Sequence, residues 1–270
     1  MLSASTLGTS TAKGSTSSPL DASRHVLQGI RHLHDLDQLA RIVGGLEPAV
    51  VCIDSPSQWA EAGMRRPAER ELTRRGINLY TTPPEDQAGP FHRWMRDGFR
   101  VYDALAPSYP RYTGGDVHGT AAEYYPHASA VALAGRIGDF TSKVDIRRRL
   151  LAKHGVDEPT LLGPDQVDAA LGALTGLIAL DGRHSWVGEG PDAMLLPVPE
   201  LPEKFQRVSA APALPRDAEA ARGSLPSDER RRPPCLCGCG ETPAGPGSRF
   251  MPGDDHCVNL ATCRRWNGRA

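Results

Sequence analysis

The strongest pattern in the chain is the apolar run Ala49-Val50-Val51-Cys52-Ile53, closed by Asp54 and followed at once by Ser55-Pro56. A short unbroken apolar run reads as a strand buried on both faces, and Pro56 forbids it from pairing further. Ahead of it, Leu33, Leu36, Leu39, Ala40 and Val43 recur at helical spacing. Continued along the chain, the pattern predicts helix over 34–44, strand over 49–53, helices near 66–76 and over 91–105, and strand over 121–125. It then predicts helices over 143–153 and 165–180 and a short strand over 193–196. Strands interleaved with helices imply an α/β fold with a mixed or parallel sheet and helices packed on it.

Outside this core the pattern disappears. Residues 1–19 are rich in Ser, Thr and Gly with no hydrophobic period, so 1–23 is expected to be disordered. Residues 24–202 form the core domain, 203–234 mix Pro, Ala, Arg and Glu as a flexible linker does, and 235–270 form a small Cys-rich module. Composition adds two limits. A net charge of −1 gives no global basic field, so any nucleic-acid contact has to come from a local patch. The longest apolar stretch, 169–180, is too short to cross a bilayer, and no leader pattern is visible, which makes a membrane partner unexpected and the cytoplasm the expected compartment.

Four acidic residues in three segments carry the candidate chemistry. Asp54 ends a buried strand, and in α/β sheets ligands collect beyond the carboxyl ends of strands. A carboxylate released there suits a metal ion or a water, and equally suits a turn aspartate capping the next segment. Glu123, in Ala121-Ala122-Glu123-Tyr124-Tyr125-Pro126-His127, shares a strand face with Ala121 and Tyr125, where an unpaired charge is costly. It therefore needs a partner, either an arginine of the 147–149 helix or a bound ligand. Asp165 and Asp168 stand three apart at a helix start, the spacing of an N-cap with its capping-box partner as well as of two ligands on one face. Cys52 is read as a small buried hydrophobe, and His127 as a structural histidine.

Taken in order, Ile53-Asp54-Ser55-Pro56, Glu123-Tyr124-Tyr125-Pro126-His127-Ala128, Lys143 with Arg147 and Leu150-Leu151, Asp165 through Thr175, and the strand between Gly190 and Pro197 resemble a known family. It is the bacterial and archaeal group called domain of unknown function 429, regarded as RNase H-like nucleases. The resemblance implies an RNase H-like α/β fold in which carboxylates from a central strand, a neighbouring strand and a late helix gather around Mg²⁺ or Mn²⁺. Asp54 matches the neighbouring-strand acid, and Asp168 with Asp165 the helix acids. Glu123 matches a glutamate that positions metal or substrate, and Lys143 a phosphate contact. The implied function is metal-dependent nuclease or phosphodiesterase chemistry. The alternative is a non-catalytic nucleic-acid-binding or interaction protein on the same scaffold.

One element of that family pattern is missing. The family opens on a strand ending in Gly-Val/Ile-Asp, and no such strand precedes Asp54, where the only aspartates are Asp21, Asp35 and Asp37. The expectation is that the first strand and its metal ligand are absent, or that translation begins upstream. Either way, little nuclease activity is expected from the polypeptide that begins at Met1.

The carboxy-terminal module offers a separate site. Cys235, Cys237, Cys239, Cys257 and Cys263, with His256, supply enough thiolate and imidazole for a tetrahedral zinc site. A module this small cannot build an adequate hydrophobic core, so Zn²⁺ would supply most of its folding energy. Arg264, Arg265, Trp266 and Arg269 form a basic, aromatic tail that suits nucleic acid or plain solvent.

Overall fold

A computed structural model describes residues 6–10, 15–25, 30–33, 36–138, 143–156, 161 and 163–208. Residues 209–234 of the predicted linker and the whole Cys-rich module, with Cys235, Cys237, Cys239, Cys257 and Cys263, lie outside the described residues, whereas 203–208, read as linker, pack on the domain through the buried Phe205. The elements run β1 (Thr6–Ser10), β2 (Ser15–Leu20), β3 (Ile30–Leu33), α1 (Leu36–Leu46), β4 (Val50–Asp54), α2 (Pro67–Arg74), α3 (Arg93–Leu105) and β5 (Ala121–Tyr124). They continue through α4 (Pro126–Ala134), α5 (Lys143–Lys153), α6 (Pro164–Leu180), β6 (Ser185–Val187) and β7 (Met194–Leu196).

The seven strands form one mixed sheet in the order β3-β2-β1-β4-β5-β7-β6. The pairs β1/β4, β4/β5 and β5/β7 are parallel, while β1/β2, β2/β3 and β6/β7 are antiparallel. This corrects two expectations at once. The segment read as disordered supplies two strands, and the interior position beside β4, expected to be vacant, is filled by β1, with Ser10 in register opposite Asp54. Thr6-Leu7-Gly8-Thr9-Ser10 carries no bulky apolar alternation, so its strand character comes from pairing on both sides rather than from its own pattern.

The pleat of the two central strands sorts the rest of the domain. Val51 and Ile53 of β4 and Ala121 of β5 pack against Leu39 and Val43 of α1 and Val101, Tyr102 and Leu105 of α3. Val50 and Cys52, with Ala122 and Tyr124, pack on the other face beside Ala179 of α6. Helix α6 also forms a second core with α5 through Leu150, Leu151, Val167, Leu171 and Leu174. Being buried on nearly all sides, α6 has the long apolar, weakly periodic sequence that such a position requires. It approaches the sheet closely at Gly172, where a Cβ would lie 2.5 Å from the Tyr124 ring.

Two further elements lie outside the sequence expectation. Helix α4 begins with Pro126 at its first position and ends at Gly135, whose φ of +68° suits glycine. Strand β6 pairs with β7 at the sheet edge. Among the described residues, no helix is long and apolar enough to cross a membrane.

Candidate functional site

Beyond the carboxyl ends of β4 and β5 lies a cavity of about 460 Å³, lined by Asp54, Glu123, Asp168, Lys143 and Arg147 among others. Three of the four acids singled out in the sequence therefore reach one cavity. Asp165, one turn earlier on α6, does not line it, though its charge is felt by both Asp54 and Asp168. The N-cap of α6 is Gly163 with Pro164 next, so neither aspartate is the cap that their spacing allowed.

The acids fall into two groups for a reason visible in the backbone. In β5, Glu123 pairs in parallel register with Ile53, so both belong to the face covered by α1 and α3. Asp54 is one residue further along β4 and belongs with Cys52 to the face covered by α6. Glu123 and Asp54 thus enter the cavity from opposite faces of the sheet.

Glu123 is 3% exposed and already fully engaged. It accepts from the backbone N–H of Ser57 at 2.9 Å and from both terminal nitrogens of Arg66, one of them at 2.8 Å. Arg66, 1% exposed, also donates to Glu69 at 3.1 Å and lies 3.2 Å from Asp192. Its partner is therefore not an arginine of α5. A strand glutamate that needs a buried cation was legible; that the cation comes from Arg66 was not.

One arginine faces three carboxylates in this network, and the surplus negative charge is met by backbone. Glu69 accepts from the N–H groups of Arg66 and Thr82, and Asp192 from Ala68 N–H at 2.7 Å in the first turn of α2. The result holds Arg66 charged, with its pKa raised by the Glu123 carboxylate despite the cost of burial. Burial pushes Asp192 up to about 6, against the pull of Arg66.

On the other face, Asp54 and Asp168 share the cavity with a weaker counter-charge. The carboxyl of Asp54 is pushed well above the usual range, first by burial and next by the charge of Asp168, with Arg147 pulling the other way. Asp168 is itself raised to about 6 by burial, although Arg147 donates a hydrogen bond to it. The phenol of Tyr124 donates to the Asp168 carbonyl at 2.5 Å, which fixes α6 against β5 at this level. Lys143, at the start of α5, is exposed at the rim and has no ion pair among the described residues.

Two hard carboxylates, both raised first by burial, Asp54 also by the charge of Asp168 and Asp168 by that of Asp165, suit one Mg²⁺ or Mn²⁺ completed by water or phosphate oxygens. They do not suit two ions. β1 brings Ser10 rather than a carboxylate to the position opposite Asp54, Glu123 is consumed by Arg66, and among the described residues no group of three or more His, Cys, Asp and Glu side chains could hold a metal.

Sequence reasoning missed the rim of the cavity, where Tyr80, Phe91 and Trp94 stand. No period marks them, because they sit in loops and at a helix start. His127 lies close to the site cations; burial, followed by Arg147 and Lys143, pushes its pKa down to about 4. Cys52 is fully buried, with its thiol pushed up to about 12 by that burial, as expected of a core cysteine.

The fold and cavity define a mixed α/β domain with an acid- and base-lined site at the strand carboxyl ends. The chain belongs to the family described as Protein of unknown function (DUF429), which it matches over residues 21–192. No curated protein and no solved structure matches the chain.

Proposed function

We propose that the cavity is a divalent-cation-dependent phosphodiester site of the RNase H-like type, binding nucleic acid and hydrolysing it slowly. The observation that carries this is the meeting of Asp54, from the strand beside β1, with Asp168, from a late helix, in one cavity that also holds Lys143 and Arg147. Acids for a cation and bases for a phosphate in one cavity are the two halves of phosphodiester chemistry. Asp54 and Asp168 would hold one Mg²⁺ or Mn²⁺, which would supply Lewis-acid polarisation of a phosphate oxygen. Lys143 would contact the phosphate as a point charge, and Arg147 would fix Asp168 while offering its remaining N–H groups to the same anion. Glu123 would act on the site only by holding Arg66 and the Ser57 backbone in place.

Slow turnover follows from the acid set. With Ser10 where the central strand would bring a bridging carboxylate, a second ion has no evident ligand among the described residues, and its share of the rate enhancement is lost. The same observation favours a second reading, in which the cavity binds nucleic acid without cleaving it.

Hydrolysis of single-stranded, duplex and hybrid oligonucleotides with Mg²⁺ or Mn²⁺ tests both, beside Asp54→Asn. Weak metal-dependent cleavage that vanishes in Asp54→Asn is expected. Binding without cleavage would replace the first reading by the second, and cleavage unchanged in Asp54→Asn would remove the cavity from the chemistry altogether.

A further inference from the structure

Among the described residues five large apolar side chains are exposed, and two of them, Tyr80 at 69% and Phe91 at 61%, line the same cavity as the acids. Their rings lie 5.8 Å apart and are tilted by 56°. They are not loose. Phe91 meets His92 edge-on at 5.4 Å, His92 meets Trp59 at 6.5 Å, and Trp59 packs against Phe99 at 4.8 Å under the guanidinium of Arg96. A chain of half-buried rings thus leads to the cavity mouth, where its last two members are left facing solvent. Exposed rings held rigidly at the edge of a charged cavity have a specific use: they offer flat π surfaces at little entropic cost to a ligand that has both a planar apolar part and an anionic part.

We infer that Tyr80 and Phe91 form a stacking platform that selects single-stranded nucleic acid, with the unpaired base on the rings and its phosphate directed to Lys143 and Arg147. This rests on the phosphodiester reading of the cavity and adds the strandedness of the substrate. A duplex keeps its bases stacked on one another and cannot lend one to the platform without unpairing it, whereas every unpaired base presents a π face whatever its sequence. Charge complementarity points the same way. The exposed cation at the cavity rim, Lys143, has no ion pair among the described residues.

The test is fluorescence anisotropy of a labelled single-stranded 12-mer, as DNA and as RNA, against the duplex of the same sequence. It is run on the full chain in EDTA so that it does not depend on hydrolysis. Single strands should bind about tenfold or more tighter than the duplex, and Tyr80→Ala with Phe91→Ala should weaken them by about ten- to a hundredfold. Both positions are exposed, so the variants should fold, and Tyr80→Phe should keep the affinity because only the ring face is used. The salt dependence should be unchanged in the ring variants. In Lys143→Ala its log–log slope should shrink by about 0.7, the value for one phosphate contact on a single strand. Equal binding of duplex and single strand, or ring variants that bind as the parent does, would overturn the inference. Failure of cleavage with ring-dependent binding intact would count against hydrolysis alone and leave the platform standing.

Discussion

Glu123 and Asp54 sit one register step apart on adjacent parallel strands, yet the protein treats them in opposite ways. Glu123 is closed off, with its charge matched by Arg66 and by backbone N–H groups. Asp54 is placed against a second carboxylate, so that burial and repulsion both raise its pKa. The difference comes from the pleat. Residues on one face of β4 and β5 lie under α1 and α3, where Arg66 at the start of α2 supplies a buried cation, and residues on the other face meet α6, which supplies another acid. A buried ion pair that is fully satisfied is architecture, whereas like charges held together in a cavity are a standing demand for a cation or a proton.

The sharpest way to break this comparison is Arg66→Met, which keeps the bulk of the side chain and removes the charge. It strands Glu123, Glu69 and Asp192 in the interior, and breaking a buried pair from one side costs about 3–5 kcal/mol. Denaturant unfolding should show a loss of that size. A parent-like midpoint would mean that the backbone donors, not Arg66, hold the acids.

A smaller loss is expected where the two regions are pressed together. In Gly172→Ala the new methyl meets the Tyr124 ring, which is 1% exposed and tied to Asp168 through its hydroxyl. Overpacking of this kind costs about 1–3 kcal/mol. Because the displaced ring bonds the backbone of Asp168, Mn²⁺ binding followed by electron paramagnetic resonance should weaken alongside stability. Loss of stability with Mn²⁺ binding intact would show that Tyr124 does not set the position of the acid.

How much of this was legible depended on whether a residue's partner was local. Strand β4 and helix α6 were readable because burial on all sides writes itself into a continuous apolar sequence. The cavity acids were readable because Asp54 closes such a strand and Asp168 opens such a helix. β1 was not, since Thr6–Ser10 becomes a strand only through β2 and β4, and a polar sequence looks the same whether paired or free. Arg66 was not, because its partner Glu123 is 57 residues away and neighbouring Arg65 reads identically in the sequence. Helix α4 could have been found from Pro126 and Gly135, which punctuate an alanine-rich stretch with little amphipathic period. The family resemblance supplied the order of the motifs, and the match over residues 21–192 supports it.

The smallest expected effect is one of pH, and it tests whether Asp168 belongs to the demanding region or to the satisfied one. Its folded pKa is raised to about 6, so between about pH 4 and 6 the folded chain binds more protons at this site than the unfolded chain. Its contribution to stability is therefore largest in acid and is lost as pH rises through 6. His127 works in the opposite sense. With its folded pKa lowered to about 4, the unfolded chain binds the extra proton between about pH 4 and 6.5, so its contribution is present above that window and is lost as pH falls. Asp192 and Asp54, both raised by burial, add to the slope of Asp168, and His154, lowered by burial, adds to that of His127, so the parent profile is the sum of these opposing slopes. Asp168→Asn keeps a carbonyl oxygen able to accept from Arg147 while deleting its titration. Between about pH 4 and 6 the variant should therefore gain stability with rising pH relative to the parent, as read from urea midpoints at half-unit intervals. In the parent, Mn²⁺ affinity should climb through pH 6 as Asp168 loses its proton, because a cation and a proton compete for the same oxygens. If the variant showed the parent's profile, and Mn²⁺ affinity were flat through pH 6, Asp168 would be a permanently ionised partner of Arg147. The α6 face would then be as closed as that of Glu123.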